Sequence, residues 1–520
     1  MIDLSRSRLT PYHHQYIGVE KIVNNPFFFL ADDMGAGKTK QAIDAAQVLN
    51  TIDLIDRVIV VAPASVRFVW FDPELGELIK HLWVNMPCVV TEYHAKIRSW
   101  QWFIKVDGKE FAPKLFWTIT NYDFIRNKDR LEVLLKVANK KTLLILDESA
   151  SIKSWRAIQT KSCEELRARC GRILLLNGMP ISNNPGDLYS QAHIMDPKIL
   201  GCKSFFHFRA RYAIMGGWQQ KQIVAWRDLD DLQKRLAPYI LRRLKEHCID
   251  LPRKLDPVII TVPLSNETWK IYKEMRDEMV AWLSESSVSA VSQAIVKAIR
   301  LAQLTSGFIG GVEIQEKEQE DKPDWIPSSN PEKEEFLETN LSSIREIGRE
   351  KLDIFFEQVE EWLEADPNLK LLVWGRFRPE VKRLYEEFIK KYPNINCEMI
   401  WGGQKRNERD AALRLLDPRT APKGPAVVIG TPASGSLGLN LAATHTAVYI
   451  SNDFSLKTRA QSEDRIHRPG QVYPVSYFDI IATGPQGQKT IDHLIIKALK
   501  TKLDIANFTT SAWIAALMED

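Results

Sequence analysis

Short apolar runs recur along the chain, separated by longer stretches in which apolar and polar residues alternate with helical spacing. Phe27 to Ala31, Val58 to Ala62, Phe116 to Thr120, Thr142 to Asp147 and Arg172 to Asn177 form a first series. Leu371 to Trp374, Met399 to Trp401, Ala426 to Gly430, Ala447 to Ser451 and Val475 to Ile480 form a second. A continuous apolar run predicts a strand buried on both faces, and its alternation with helices predicts an α/β fold with parallel sheets. Two series predict two lobes, at 1–250 and 251–503, with a tail at 504–520. Gly186 to Glu246 carries no strand-like run and predicts a helical protrusion. There aromatics and arginines interleave (Phe205, Phe206, Phe208, Arg209, Arg211, Tyr212, Trp218, Trp226). Ser265 to Leu304 predicts a second helical segment, and Glu313 to Glu338, rich in charge, Pro and Ser, reads as an insertion outside the core. No internal repeat of fixed period is present.

Composition narrows the class without choosing a function. With 520 residues, 45% hydrophobic and 26% charged, the chain suits a soluble protein with more than one core. No apolar run approaches the ~20 residues of a membrane helix, and the N-terminus lacks a signal-peptide pattern, which predicts a non-secreted protein without membrane contact. Cys88, Cys163, Cys170, Cys202, Cys248 and Cys397 show no paired spacing, so reduced and mostly buried thiols are expected in place of a zinc site or a disulfide framework. A net charge of +4 permits a nucleic-acid partner but does not argue for one.

Three motifs carry chemistry. Phe27 to Thr39, FFFLADDMGAGKT, joins a strand through a glycine-bearing turn to a helix. Backbone amides over Met34, Gly35, Ala36 and Gly37 can cradle phosphates, Lys38 can reach the outer phosphate oxygens, and the Thr39 hydroxyl can bind Mg²⁺. The usual loop has glycine where this chain has Asp32. Thr142 to Glu148, TLLILDE, ends a strand in two carboxylates: Asp147 suits a metal ligand and Glu148 a group that polarises water, although Asp-Glu also begins many helices as a cap. Gln461 to Gln471, QSEDRIHRPGQ, sets Arg465 and Arg468 one predicted helical turn apart before a Pro-Gly break. Such a pair can stabilise charge on a transferring phosphoryl group, or form a salt-bridged surface helix with Glu463 and Asp464.

Taken in order, these motifs resemble those of superfamily 2 helicase-type ATPases, specifically the Swi/Snf-like double-stranded-DNA translocases. The resemblance covers residues 9 to about 503. It is carried also by Gln15 to Gly18, Val60 to Trp70, ITNYD at Ile119 to Asp123, LDESASIKSW at Leu146 to Trp155, LLLNGMPISNN at Leu174 to Asn184 and GSLGLNL at Gly435 to Leu441. PYILRRLKEHCIDLPRK (Pro238 to Lys254) and LAQLTSGF (Leu301 to Phe308) favour the Swi/Snf-like branch. The resemblance implies two RecA-like lobes with helical protrusions, a C-terminal brace at Thr490 to Lys502, and the cofactors ATP and Mg²⁺. It implies Gln15 as an adenine reader, Gly438 and Asn440 as further nucleotide contacts, and Lys38, Asp147, Glu148, Arg465 and Arg468 as the catalytic set. For DNA it points to Arg67, Trp70, Asn121, Lys153, Asn183, Arg376, Thr431 and Ser434.

Two departures bear on coupling. Ser149 and Ala150 follow the carboxylates, where relatives carry a histidine in the fourth place, and Asn177, Gly178, Met179, Pro180 replace a Thr-Gly-Thr-Pro pattern. Arg242, Arg243 and Lys245 form a basic run that fits a solvated face, ion pairs closing the lobes, or DNA contact. The expected function is ATP-driven translocation on double-stranded or branched DNA by a monomeric motor, remodelling DNA structures or displacing bound proteins, as in repair or recombination. A strand-separating DNA or RNA helicase and a non-catalytic, ATP-gated clamp remain open alternatives. With no zinc module, histone-tail reader or basic tail visible, a compact bacterial or viral motor is expected, in the cytoplasm or on the nucleoid.

Overall fold

A computed structural model describes residues 2–73, 76–83, 86–93, 100–103, 112–180, 185–216, 222–285, 291–310, 344–401, 404, 406–436 and 440–501. They belong to two compact units, and the chain passes from the first to the second between Asp250 and Leu251.

The first unit contains β1 (Phe27–Leu30), β2 (Arg57–Ala62), β3 (Cys88–Glu92), β4 (Trp100–Phe103), β5 (Leu115–Asn121), β6 (Thr142–Asp147), β7 (Arg172–Leu176), β8 (Ala213–Gly216), β9 (Gln222–Trp226) and β10 (Ile240–Leu241). Its main sheet has the order β10-β1-β7-β6-β2-β5-β3-β4 and is parallel except where β4 pairs with β3. Successive side chains of a strand point to opposite faces, so apolar runs without alternation mean that both faces are covered. Phe29, Ile59, Val61, Leu144 and Leu146 pack on one face beneath helices Lys128–Val137, Ile158–Arg169 and Asp187–Met195. Phe28, Leu30, Val58, Val60, Leu143 and Ile145 pack on the other beneath His13–Asn24 and Lys38–Thr51.

The span predicted to be wholly helical is mixed. Helices Asp187–Met195, Phe205–Tyr212 and Leu229–Leu236 are present, but β8 and β9 form an antiparallel hairpin with a bulge at Ile214/Met215, and β10 joins the main sheet. The interleaved aromatics mostly build a local core: Phe208 and Tyr212 are fully buried, with Trp226 packed on Phe208, while Phe206 is exposed.

The second unit contains β11 (Val258–Pro263), β12 (Phe308–Ile309), β13 (Arg345–Glu346), β14 (Lys370–Trp374), β15 (Asn396–Ile400), β16 (Ala426–Gly430), β17 (Thr446–Tyr449) and β18 (Ser476–Thr483). A parallel sheet of order β11-β18-β17-β14-β16-β15 forms its centre. Helices Asn266–Glu285 and Val291–Thr305 occupy the predicted helical segment, and a helix over 491–501 lies within the expected brace. The charged segment 313–338 and the tail 504–520 lie outside the described residues. All six cysteines are free, and Cys88, Cys163, Cys170 and Cys202 are buried.

Candidate active site

Strand register brings the chemistry of the first unit to one sheet edge. Leu241, Leu30, Leu176 and Asp147 stand side by side across β10, β1, β7 and β6. These strands are parallel, so the segments that follow them leave the sheet at the same edge, the usual ligand edge of an α/β sheet.

The segment after β1 is the glycine-bearing loop. Gly35 and Gly37 have φ of 76° and 74°, a left-handed conformation that turns backbone amides into a concave nest suited to anions. A Cβ on Gly37 would also stand 2.2 Å from Gln15 Nε2, so glycine there satisfies both backbone and space. Lys38 opens the helix, and its Nζ donates to the carbonyls of Asp32 at 2.8 Å and Asp33 at 3.0 Å. Thr39 is half-buried beside it. Gln15 and His14 reach the loop from helix His13–Asn24: Gln15 Nε2 donates to Ala36 O at 3.5 Å, and His14 Nε2 lies 2.9 Å from the same oxygen.

Asp32 is fully buried and forked by Arg243, with Nε to Oδ1 at 2.9 Å and Nη2 to Oδ2 at 2.5 Å. Gln41 Nε2 adds a bond to Asp32 Oδ2 at 3.2 Å, and Arg243 Nη1 donates to His14 O. Arg242 is buried too, its Nη1 donating to Ala31 O and Gly178 O, both at 3.0 Å. Lys245 is likewise buried. The basic run is therefore not a solvated face: its two arginines brace the glycine-bearing loop from within the first unit. A sequence pattern of charges conceals this, because burial of an arginine depends on a partner distant in the chain.

At the end of β6, Asp147 Oδ2 accepts from Trp70 Nε1 at 2.7 Å and Oδ1 from the Glu148 amide at 2.9 Å. Burial and then the neighbouring Glu148 charge push the Asp147 carboxyl up to about 6, against the pull of Trp70 and Lys38. Glu148 has φ 50°, a left-handed conformation that costs a non-glycine residue roughly 1–2 kcal/mol. Strain of this kind concentrates at functional sites. Ala150 stands in the fourth place, where the resemblance would put a histidine, and beside it Ser149 Oγ donates to Gln191 Oε1 at 2.7 Å while Gln191 Nε2 donates to Pro180 O at 3.1 Å. The carboxylate segment is thus tied to the segment after β7 through a glutamine that the motif reading did not single out. Within that segment, Asn177 Oδ1 accepts from the Met179 amide at 3.0 Å.

In the second unit, helix Leu456–Glu463 ends before the arginine pair. Arg465 and Arg468 therefore sit in a turn and not on a helix face, which corrects the i, i+3 helical reading. The Glu463 carbonyl accepts from the amides of Ile466 at 3.3 Å and His467 at 3.2 Å, and from Tyr477 OH at 3.0 Å. Leu441 N donates to Arg465 O at 3.0 Å. Gln471 is buried, and its Nε2 donates to Thr444 O at 2.8 Å and Ile466 O at 3.1 Å, closing the turn from its far side. Beneath it lies a buried ionic cluster: Arg459 meets Glu463 at 2.6 Å and Asp479 at 2.5 Å, with its guanidinium 3.5 Å from the Tyr449 ring centroid. Asn440 Oδ1 accepts from the Ala442 amide at 3.4 Å, and Gly438 lies outside the described residues.

The expected DNA residues divide. Trp70 is fully buried, with its Nε1 on Asp147 Oδ2. Asn121 is buried, capping the following turn through the Phe124 amide at 2.7 Å, and Ser434 Oγ donates inward to Ile400 O at 3.1 Å beside buried Thr431. Arg67 pairs with Glu92 at 2.7 Å. Lys153 and Arg376 are part-exposed, and Asn183 lies outside the described residues.

The family model of the SNF2-related domain matches residues 22–307. The CHD3-type chromatin-remodeling factor CHR7 of Arabidopsis thaliana is 24% identical over 477 residues, covering 91% of this chain and 35% of that protein. The TATA-binding protein-associated factor MOT1 of Saccharomyces cerevisiae is 24% identical over 514 residues, covering 92% of this chain and 26% of that protein. The chain thus spans only a minor part of these relatives' length. Among solved structures, the Sulfolobus solfataricus SWI2/SNF2 ATPase core in complex with dsDNA is 21% identical with a TM-score of 0.40, covering 98% of this chain and 96% of that one. No described helix is long and apolar enough to cross a membrane.

Proposed function

The chain belongs to the SNF2-related family, and from that premise we propose that it is an ATP-driven motor that moves along double-stranded DNA. The observation that carries this reading is the common sheet edge shared by the loop after β1 and the carboxylates at the end of β6. The residues there fit a magnesium-bound triphosphate: left-handed glycines expose amides, Lys38 brings a cation that rests on two loop carbonyls, and Thr39 and Asp147 offer the hard oxygen donors that Mg²⁺ prefers. Bound Mg²⁺ would supply positive charge against the phosphate oxygens.

In this reading Lys38 exchanges the carbonyls of Asp32 and Asp33 for phosphate oxygens, and Glu148 orients and deprotonates the attacking water. Gln15 reads adenine beside the loop, and Gly438 and Asn440 assist from the second unit. Arg465 and Arg468 stabilise the charge that develops on the transferred group, a contribution that reaches roughly 10³-fold or more for arginines in such motors. Hydrolysis then shifts the population between nucleotide-bound and nucleotide-free conformations and so moves the protein on DNA. Phosphates of the duplex would be followed by Lys153, Arg376, Arg67 and Asn183, without base reading.

Lys38→Ala is expected to lower ATPase by at least about a hundredfold, while Glu148→Gln binds ATP and fails to hydrolyse it. Normal turnover in either variant rejects the site. ATPase measured with double-stranded, single-stranded and forked DNA, together with triplex displacement, tests the motor: duplex stimulation with displacement and no unwinding supports it, unwinding of forks replaces it with a helicase, and absence of hydrolysis with every substrate replaces it with a clamp.

A further inference from the structure

The segment that enters the second unit at Leu251 is fastened to the arginine turn at three successive points. Before the turn, Lys254 Nζ meets Glu463 Oε2 at 2.5 Å. Within it, His467 Nε2 lies 2.9 Å from Pro252 O and, as the protonated nitrogen, donates to it. Beyond it, Val475 N donates to Arg253 O and Leu255 N donates to Val475 O, both at 3.0 Å. The same Glu463 that holds Lys254 through its carboxylate receives the amides of Ile466 and His467 through its carbonyl. We propose that Lys254 is a positioning residue for ATP hydrolysis: by clamping the crossing segment to Glu463 it sets the turn that presents Arg465 and Arg468.

The geometry favours a positioning role over simple stabilisation. The Lys254 side chain is 45% exposed and that of Glu463 11%, so the lysine adds little buried area, yet it neutralises a carboxylate that is nearly enclosed. Arg459 already takes Glu463 Oε1 at 2.6 Å, which leaves Oε2 to Lys254 and fixes the carboxylate plane between two cations. Loss of Lys254 frees one oxygen of the residue on which the turn is built. A movement of the crossing segment would reach the arginines by the same bonds, without passing through the sheet. The proposal rests on the reading that Arg465 and Arg468 act on the phosphates.

The test uses the full chain and two readouts. In Lys254→Met, amide hydrogen exchange over 464–471 without nucleotide is expected to quicken about tenfold, in keeping with the loss of a charged hydrogen bond that is partly screened by solvent. With duplex DNA and ATP, kcat is expected to fall about tenfold while KM for ATP stays within about twofold, and Lys254→Arg restores both measurements. Unchanged exchange in Lys254→Met overturns the clamp. If exchange quickens but kcat holds, Arg465→Ala separates the causes: an inactive Arg465→Ala rejects the role of Lys254, whereas an active one rejects the assignment of the arginines themselves.

Discussion

Asp32 stands where the usual phosphate loop begins with glycine, and its partner Arg243 lies 211 residues further along the chain. A buried carboxylate without a cation is unfavourable, so the substitution from the usual pattern is tolerated because β10 runs beside β1 and delivers an arginine to it. Removing one member should therefore do more harm than removing both. Arg243→Met leaves Asp32 with Gln41 as its remaining side-chain donor and is expected to cost about 3–5 kcal/mol in urea unfolding of the intact chain. Asp32→Gly with Arg243→Met is expected to cost clearly less than Arg243→Met alone, since no charge is then stranded. Additive losses would show that the pair is not a unit. The Lys38 ammonium lies on the Asp32 carbonyl, so the same pair also helps to set the position of the lysine proposed to bind phosphate.

At the scale of elements, the end of helix Leu456–Glu463 shows what pattern alone could and could not give. Burial would raise the Glu463 carboxyl, but Lys254 and Arg459 outweigh it and hold it down at about 2, below its ordinary 4.5. A folded pKa below the unfolded one contributes stability that is complete above about 4.5 and is lost as pH falls through about 2. Urea unfolding across that window should thus show wild-type stability declining more steeply than that of Glu463→Gln, which is weaker at neutral pH but has no carboxylate to titrate there. Parallel declines would contradict the ion cluster. The buried strands β1, β2, β5, β6 and β7 were legible because two covered faces leave continuous apolar runs. The hairpin of β8 and β9 was not, since Ile214 and Val224 are exposed at 43% and 59% and the strands carry no buried run. β10 has only Ile240–Leu241, and β11 lies at a sheet edge with Val258 and Ile259 exposed, so neither resembles a core strand. The arginine spacing fits a helix as well as a turn, because a spacing of three carries no sign that the helix ends at Glu463, where its carbonyl accepts the amides of Ile466 and His467. The glycines and acids of the candidate site were readable from local order, whereas Arg243 and Gln191 act through partners that only the fold brings near.

For the molecule as a whole, the proposed motor role sets an expectation for how much of its hold on DNA would be ionic. Net charge is only +4, and several residues expected to follow the duplex are occupied internally: Trp70 on Asp147, Asn121 on the Phe124 amide and Ser434 on Ile400 O. The charged candidates are Arg67, Lys153 and Arg376, and Arg67 must first give up Glu92, 2.7 Å away. Each phosphate neutralised by a cation releases counterions and contributes about −0.9 to the slope of log affinity against log salt. Three such contacts predict a slope of about −3 for duplex binding, well short of the about −10 seen for a strongly basic DNA binder. Backbone amides and hydroxyls can hold further phosphates at little salt cost, and the proposed motor, which would release and rebind with each ATP, would gain from that economy of charge. Fluorescence anisotropy with a random-sequence duplex over a salt series measures the slope directly. Lys153→Gln and Arg376→Gln should each make it shallower by about 0.9 and weaken binding alike on every sequence. A wild-type slope near −8, or variants that leave it unchanged, would place the DNA on a basic surface other than the one these residues define.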